Sequence, residues 1–138
     1  MLETLYESNL KSLPLLVRGK VRDVYAVGDS HLLIVTTDRL SAFDVILPDP
    51  IPGKGAVLTN CSNFWFERTK DIVPNHLTDV DMATVITDPA ELATLGERAI
   101  VVKRLTPPPV EARVRGDPIG SACRAYPSTG AGCGIAPA

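Results

Sequence analysis

Apolar and β-branched residues recur along the first hundred positions in runs that predict antiparallel strands. Residues 18–25 and 31–37 are two strand-like runs, and Gly28-Asp29-Ser30 between them is typical of a hairpin turn. The unbroken apolar run at residues 32–35 predicts a strand that is covered on both faces. Further short strands are predicted at residues 43–47, 82–86 and 99–102.

One long helix is predicted at residues 58–70, because apolar residues recur there with helical spacing. The residues that carry this pattern are Leu58, Cys61 and Trp65, with Thr59 or Asn60 as the N-terminal cap. The prolines of residues 48–55 predict a stiff, exposed loop before this helix. Asp88-Pro89 predicts the start of a short helix, since Asp can cap and Pro suits the first helical position.

The character of the chain changes after Leu105. Three consecutive prolines, Pro107, Pro108 and Pro109, are followed by a stretch with few large apolar residues. Such a stretch buries too little apolar surface to offset the entropy of ordering it. We therefore expect an ordered part at about residues 10–115, of the α+β class, and poor order after it.

Composition and charge limit the classes of function. The chain has 138 residues, of which 22% are charged, with a formal net charge of −2, which argues against a nucleic-acid partner. Residues 1–9 do not resemble a secretory signal. No apolar run is long enough to span a membrane, so a membrane is not expected as a partner. The cysteines Cys61, Cys123 and Cys133 form no CxxC pair, which indicates free thiols in the cytoplasm rather than disulfides or a metal site.

A basic pair is the first candidate for chemistry. Lys20 and Arg22 are two residues apart in a strand-like run, so their side chains are expected on one face, about 6.6 Å apart. That spacing suits neighbouring phosphates, and Gly19 would let the backbone approach such a ligand. The alternative is a solvated basic edge that prevents strand pairing.

Two further places could contact a ligand. Ser41 and Asp44 follow a buried strand, where loops often carry function, although a plain turn in which Asp38 bonds backbone amides is also consistent. Lys103 ends an apolar strand and could reach an anion or extend into water. His31 and His76 have no nucleophile nearby in sequence, so structural roles are expected. The residues alone thus indicate a soluble α+β domain with a candidate anion site.

An ordered set of segments resembles one family. It begins with Arg18-Gly19-Lys20-Val21-Arg22-Asp23-Val24-Tyr25 and Thr37-Asp38-Arg39-Leu40-Ser41-Ala42-Phe43-Asp44, and continues with Ile51-Pro52-Gly53-Lys54-Gly55, Leu58-Thr59, Ser62-Asn63-Phe64-Trp65-Phe66, Val102-Lys103-Arg104, Pro109-Val110-Glu111, Arg115-Gly116 and Gly120-Ser121. In this order and spacing the chain resembles the SAICAR synthetase family, the phosphoribosylaminoimidazole-succinocarboxamide synthases, over nearly its whole length.

The resemblance implies an ATP-dependent ligase of de novo purine biosynthesis. In that reaction ATP activates the carboxylate of carboxyaminoimidazole ribonucleotide, the amine of L-aspartate attacks, and ADP and phosphate are released, with Mg²⁺ bridging the phosphates. The implied fold is an antiparallel sheet lobe similar to a protein-kinase small lobe. Residues 1–105 would form this N-terminal nucleotide-binding lobe, and residues 106–138 the hinge and the truncated start of a second lobe.

The resemblance also implies roles for particular residues. The implied nucleotide-binding residues are Gly19, Lys20, Arg22, Lys103 and Glu111. The implied substrate-binding residues are Ser41, Asp44, Arg115 and Ser121. No metal ligand is implied within this chain, because the acidic magnesium ligands of the family belong to its C-terminal half.

The chain also departs from the family pattern. Arg113 stands in an apolar stretch, and Asp117-Pro118 follows Gly116 where the family has an aromatic and an aliphatic residue. With the C-terminal half of the family missing, we expect the 138-residue product to be inactive alone. The alternatives are a non-catalytic nucleotide-binding remnant, a coding sequence that continues past Ala138, and an interaction fragment that exposes residues 32–35 and Trp65. A homo-oligomer is also consistent with the sequence.

Overall fold

A four-stranded antiparallel sheet organises the first part of the chain. The computed structural model describes residues 3–110 and 120–131, and the chain divides into two compact units, Met1–Leu105 and Thr106–Ala138. The sheet has the order β1-β2-β3-β6, with strands Leu15–Arg18 (β1), Arg22–Val27 (β2), His31–Thr36 (β3) and Ala99–Lys103 (β6). A separate hairpin pairs Ser41–Ala42 (β4) with Val45–Ile46 (β5).

Short and long helices complete the first unit. They are Lys54–Thr69 (α1), Met82–Val85 (α2) and Pro89–Leu95 (α3), followed by a 3-10 helix at Gly96–Arg98. Together with the sheet they confirm the predicted α+β class. In the second unit, Ser121–Thr129 forms helix α4. The poor order expected after residue 115 stays a prediction.

The β2–β3 hairpin is confirmed. β2 and β3 pair in regular antiparallel register from Arg22↔Thr36 to Val27↔His31, and residues 28–30 form the turn, with Gly28 at a φ of 57°. β3 also pairs with β6, so it lies inside the sheet. Its unbroken apolar sequence is explained by this position, because both its faces are packed.

The two sheet faces have different coverings. Tyr25, Leu33 and Val35 point to a buried core that includes Leu10 from the N-terminal segment and Leu95 from α3. The opposite face carries Arg22, Ile34, Thr36 and Ile100, and helix α1 lies over it. We refer to this second side as the α1 face. Leu33 and Val35 are fully buried, as the unbroken apolar run predicted, so the exposure of residues 32–35 that the interaction-fragment alternative requires is not observed for these two residues.

Two buried ion pairs hold the N-terminal segment against the sheet. Asp23 accepts from Arg39 Nη2 at 2.8 Å and from the Ser8 backbone N–H at 2.8 Å. Burial alone would raise the pKa of the Asp23 carboxyl, but these hydrogen bonds outweigh it and hold the pKa below its usual value. Asp38 accepts from Arg98 Nη1 at 3.1 Å and from the Leu5 N–H at 2.8 Å.

The ordered part of the chain therefore begins well before residue 10, the start that the sequence predicted. Arg39 Nη1 donates to the Tyr6 carbonyl at 2.6 Å, and Arg98 Nη2 donates to the Glu3 carbonyl at 2.7 Å. Both arginines are completely buried or nearly so. Burying a guanidinium is costly unless its donors find acceptors, and backbone carbonyls of the N-terminal segment supply one acceptor to each arginine, while Arg98 Nε is buried without a partner.

Helix α1 begins four residues earlier than predicted, inside the loop expected at residues 48–55. Gly53 is its N-cap with a φ of 78°, and the Asp38 carboxylate accepts from the Gly55 N–H at 2.7 Å. The predicted caps are wrong: Thr59 is buried within the helix and bonds the Arg98 carbonyl, while Asn60 bonds Glu97. The capping carboxylate is remote in sequence, so local patterns did not reveal it.

The predicted strand at residues 82–86 is wrong, because Met82–Val85 forms the short helix α2. The Asp81 carboxylate accepts from the Ala83 N–H at 2.9 Å and starts the helical turn. The predicted strand at residues 43–47 is reduced to β5, since Phe43 and Asp44 form the turn before it. The helix predicted at Asp88-Pro89 is confirmed as α3, capped by Asp88.

Candidate functional site

Arg39 holds the turn between β1 and β2, residues 19–21, through hydrogen bonds to its backbone carbonyls. Arg39 Nε donates to the Lys20 carbonyl at 3.0 Å, and its Nη2 donates to the Gly19 carbonyl at 2.9 Å. The Val21 carbonyl accepts from the backbone and the hydroxyl of Thr37. Because Arg39 is itself paired with Asp23, the turn has a rigid polar support.

Lys20 and Arg22 do not share a strand face, so that prediction is wrong. Lys20 lies in the turn, whereas Arg22 is the first residue of β2 and faces α1. Gly19 N–H donates to the Arg22 carbonyl at 2.7 Å and closes the turn. A Cβ on Gly19 would lie 3.1 Å from that carbonyl oxygen, so the close approach favours glycine.

The structure brings the turn and the β4–β5 hairpin together. Lys20 Nζ forms an ion pair with the Asp44 carboxylate. The hydrogen bond and charge of Lys20 hold the pKa of Asp44 below its usual value. Ser41 lies in the same hairpin, opposite Ile46. The structure thus places Lys20 close to Ser41 and Asp44. The resemblance had assigned Lys20 to the nucleotide and the other two residues to the substrate.

The tip of this hairpin has an unusual backbone. Phe43 and Asp44 both have positive φ, 50° and 66°, as in a two-residue turn that normally takes Asn and Gly. Phe43 is fully exposed, at 102% of its reference area. A bulky residue in this conformation is strained, and no contact within the described chain compensates for it.

Sequence reasoning missed Lys54, the first residue of α1. Its ammonium nitrogen is buried and has no hydrogen-bond partner. Burial lowers the pKa of Lys54, and the nearby positive charge of Arg22 lowers it further. The Gly53-Lys54-Gly55 sequence at the end of a proline-rich loop was the available signal, but nothing in it shows that Arg22 is close.

A cavity of about 270 Å³ lies between the α1 face and helix α1. Arg22, Thr36 and Thr59 line it, together with His76. Nε2 of His76 is buried without a partner, and burial lowers the pKa of this imidazole. The lining of the cavity is therefore mixed, because the apolar residues Ile34, Leu58, Phe66 and Ile100 also contribute to it.

Lys103 lies at the far end of the sheet from Arg22. Arg22 pairs with Thr36 and Lys103 with His31, so about five residues of β3, roughly 17 Å, separate the two positions. Lys103 lines a second cavity of about 450 Å³, which also contains Phe66 and Leu105. Its Nζ is 3.5 Å from the Asn75 carbonyl, which is long for a hydrogen bond.

Three predicted site residues cannot be placed in this geometry. Glu111 and Arg115 lie outside the described residues, as do Arg113 and Asp117-Pro118. Ser121 begins α4, but its side chain lies outside the described part of the chain.

The described residues contain neither a cluster of metal-ligating side chains nor a membrane-spanning helix. Among residues 3–110 and 120–131, no group of three or more His, Cys, Asp or Glu side chains is arranged to hold a metal ion. The described part of the chain therefore does not fit a resident Mg²⁺ site. None of the described helices combines the length and the apolar character needed to cross a membrane.

Curated relatives have one common name. The chain is 65% identical over 133 residues to the phosphoribosylaminoimidazole-succinocarboxamide synthase of Methylococcus capsulatus, covering 96% of this chain and 45% of that protein. It is 60% identical over 134 residues to the synthase of Thioalkalivibrio sulfidiphilus, covering 97% and 45%. The chain thus spans slightly less than half the length of these relatives.

Solved structures agree with the sequence relatives. A SAICAR synthase superposes with a TM-score of 0.89 at 38% identity, over 98% of this chain and 48% of that one. A Saccharomyces cerevisiae SAICAR synthase complexed with SAICAR gives the same values. The profile of the SAICAR synthetase family matches residues 15–133. This chain belongs to the SAICAR synthetase family.

Proposed function

We propose that the first unit is the nucleotide-binding lobe of an ATP-dependent ligase that joins L-aspartate to carboxyaminoimidazole ribonucleotide. The observation that carries the proposal is the contact between the β1–β2 turn and the β4–β5 hairpin through Lys20 and Asp44. A reaction between a phosphorylated nucleotide and a second substrate needs both binding elements side by side. Family membership supplies the class of reaction.

In this proposal the nucleotide extends along the sheet. Gly19, Lys20 and Arg22 bind its phosphates at one end, and Lys103 and Glu111 contact it near the other. The exposed backbone of a tight turn and two cations suit phosphate oxygens, which carry charge in all states of the reaction. Arg22 and Lys103 are separated by roughly 17 Å along β3, so a single ligand that contacts both would have to be elongated.

We assign the substrates other than ATP to the side of the β4–β5 hairpin. Ser41 and Asp44 would line the substrate cleft, and Arg115 and Ser121 would bind the imidazole ribonucleotide. Binding of phosphate to Lys20 would compete with Asp44 for the same ammonium, so Asp44 would be released toward the substrates when the nucleotide enters. This exchange couples occupancy of the two neighbouring sites through one side chain.

Mg²⁺ belongs to the proposed reaction, where it would neutralise phosphate charge. The described residues hold no group of three or more His, Cys, Asp or Glu side chains that could hold this ion. The chain also spans less than half of its relatives. We therefore propose binding without efficient turnover for these 138 residues, in a cytoplasmic setting.

Calorimetric titration of ATP with Mg²⁺ into the full 138-residue chain tests this function. The wild type is expected to show saturable binding, and Lys20→Ala is expected to weaken it at least tenfold. Lys70→Ala is the matched control, since Lys70 pairs with Glu67 at the other end of α1. Equal affinity of the wild type and Lys20→Ala, or no binding by a folded wild type, would contradict the proposal.

A second candidate function, an interaction fragment, is favoured by the outer side of α1. Val57, Phe64 and Trp65 are between 56% and 67% exposed on this helix. Exposed apolar residues grouped on one helix are typical of a surface that packs against another protein segment. Sedimentation velocity at increasing concentration should then show self-association, which Trp65→Lys would reduce.

A further inference from the structure

Two cationic side chains, Arg22 on the α1 face and Lys54 at the start of α1, make no direct ion pair in the described part of the chain. Arg22 and Lys54 have no hydrogen-bond or ion-pair partner among the described residues. They are close enough for the charge of Arg22 to act on the Lys54 ammonium. Like charges placed together without an anion destabilise a folded protein, so this arrangement calls for an explanation.

The nearby carboxylates are already engaged. Asp38 Oδ1 accepts from the Gly55 N–H, and its Oδ2 accepts from Leu5 and Arg98. Asp23 accepts from Arg39, whose charge also acts on Lys54. Neither carboxylate makes a hydrogen bond to Arg22 or Lys54, and the negative charge of Asp38 offsets only part of the effect that burial and the neighbouring arginines have on the pKa of Lys54.

The pair is held in position by the backbone. Lys54 is the first residue of a 16-residue helix whose Gly53 N-cap offers no side-chain acceptor. Gly55 packs so closely on the Thr36 carbonyl that an added Cβ would lie 2.1 Å from its oxygen. Since Thr36 pairs with Arg22 in the sheet, the helix start and Arg22 are fixed relative to one another. The partial positive charge of a helix N-terminus adds to the two cations.

We infer that Arg22 and Lys54 form an oxyanion site that binds a phosphate group beside the β1–β2 turn. This inference rests on the proposed nucleotide function and makes Lys54 a phosphate-binding residue in addition to Lys20. Two cations and a helix N-terminus match the charge of a phosphate better than that of a single carboxylate. The Lys54 side chain is only partly buried as a whole, so rotation of its flexible stem brings the ammonium to the ligand.

The test compares Lys54→Met with Lys70→Met, which removes the same charge from the opposite end of α1. Binding of ATP, inorganic pyrophosphate and acetate to the full chain is measured by calorimetry at constant ionic strength, and stability by urea unfolding. We expect Lys54→Met to weaken ATP and pyrophosphate at least tenfold while unfolding at no lower urea concentration than the wild type. Lys70→Met should bind within twofold of the wild type.

Each other outcome has a definite meaning. If the wild type binds ATP and Lys54→Met binds it equally, the inference is wrong and the proposed function stands. If the wild type binds pyrophosphate through Lys54 but not ATP, the inference stands and the proposed function fails. Binding of neither ligand overturns both. Preference for acetate overturns the assignment to phosphate, and weaker binding that accompanies an equal loss of stability assigns Lys54 a structural role instead.

Discussion

Gly55→Ala is expected to destabilise the protein, although alanine is the better helix former. Within a helix this exchange normally gains about 1 kcal/mol. Here the new Cβ would lie 2.1 Å from the Thr36 carbonyl oxygen and 3.0 Å from its carbonyl carbon. Both are backbone atoms of the central strand, so the helix start would have to move away by more than 1 Å.

That movement has two costs. Overpacking of this kind costs about 1–3 kcal/mol. Separation of the Gly55 N–H from the Asp38 carboxylate, now 2.7 Å apart, removes a charge-assisted hydrogen bond, a loss of about 1.5–3 kcal/mol. After the propensity gain is subtracted, we expect a net loss of about 3 kcal/mol, or roughly 10 °C in Tm.

Urea unfolding followed by far-UV circular dichroism measures this loss. Gly53→Ala is the matched control: Gly53 has a φ of 78° but open space around its Cβ position, so only conformational strain of about 1–2 kcal/mol is expected. The m-values should be equal, so that the midpoints report stability. A Gly55→Ala protein as stable as the wild type, or more stable, would refute the close packing of α1 on β3.

Three further predictions concern the buried ion pairs and the hairpin tip. Arg98→Leu leaves the Asp38 carboxylate buried without its cation and should cost about 3–5 kcal/mol in urea unfolding, whereas a loss below 1 kcal/mol would contradict the buried pair. Phe43→Asn should raise the free energy of unfolding by about 1 kcal/mol, because Asn tolerates positive φ, and a decrease would show that Phe43 makes a stabilising contact. The folded-state pKa of Asp23 lies below 3.8, so its stabilising contribution is complete above pH 3.8 and is lost as the pH falls through the folded value. Unfolding measured from pH 2 to 5 should show this loss in the wild type but not in Asp23→Asn, and parallel pH profiles would contradict it.

Local patterns predicted three strands of the four-stranded sheet, although the run at residues 18–25 also took in the end of β1 and the turn before β2. The runs that became β2, β3 and β6 are β-branched and apolar, and the turn between the first two is encoded within three residues. The start of α1 could not be predicted, because its capping carboxylate, Asp38, is 17 residues away. The same is true of the Arg98–Asp38 pair, whose members are 60 residues apart.

The relative positions of the candidate site residues could be predicted only in part. Sequence identified Lys20, Arg22 and the Ser41–Asp44 segment, and the structure joins two of these places through one ion pair. The sequence did not predict that the side chains of Lys20 and Arg22 diverge. They diverge because a tight turn at Gly19 interrupts the apparent strand. Lys54 was missed, since its relation to Arg22 depends on how a helix packs on a sheet. The binding roles of all the site residues remain predictions, including those of Glu111, Arg115 and Ser121.

The most direct test of nucleotide binding at the β1–β2 turn is an amide NMR titration of the full chain with ATP. Glycine amides report on the backbone at each place. We predict progressive shifts at Gly19 and Gly55, which flank the proposed phosphate position. Unchanged Gly19 and Gly55 resonances at saturating ATP, or shifts confined to other parts of the chain, would contradict the central claim.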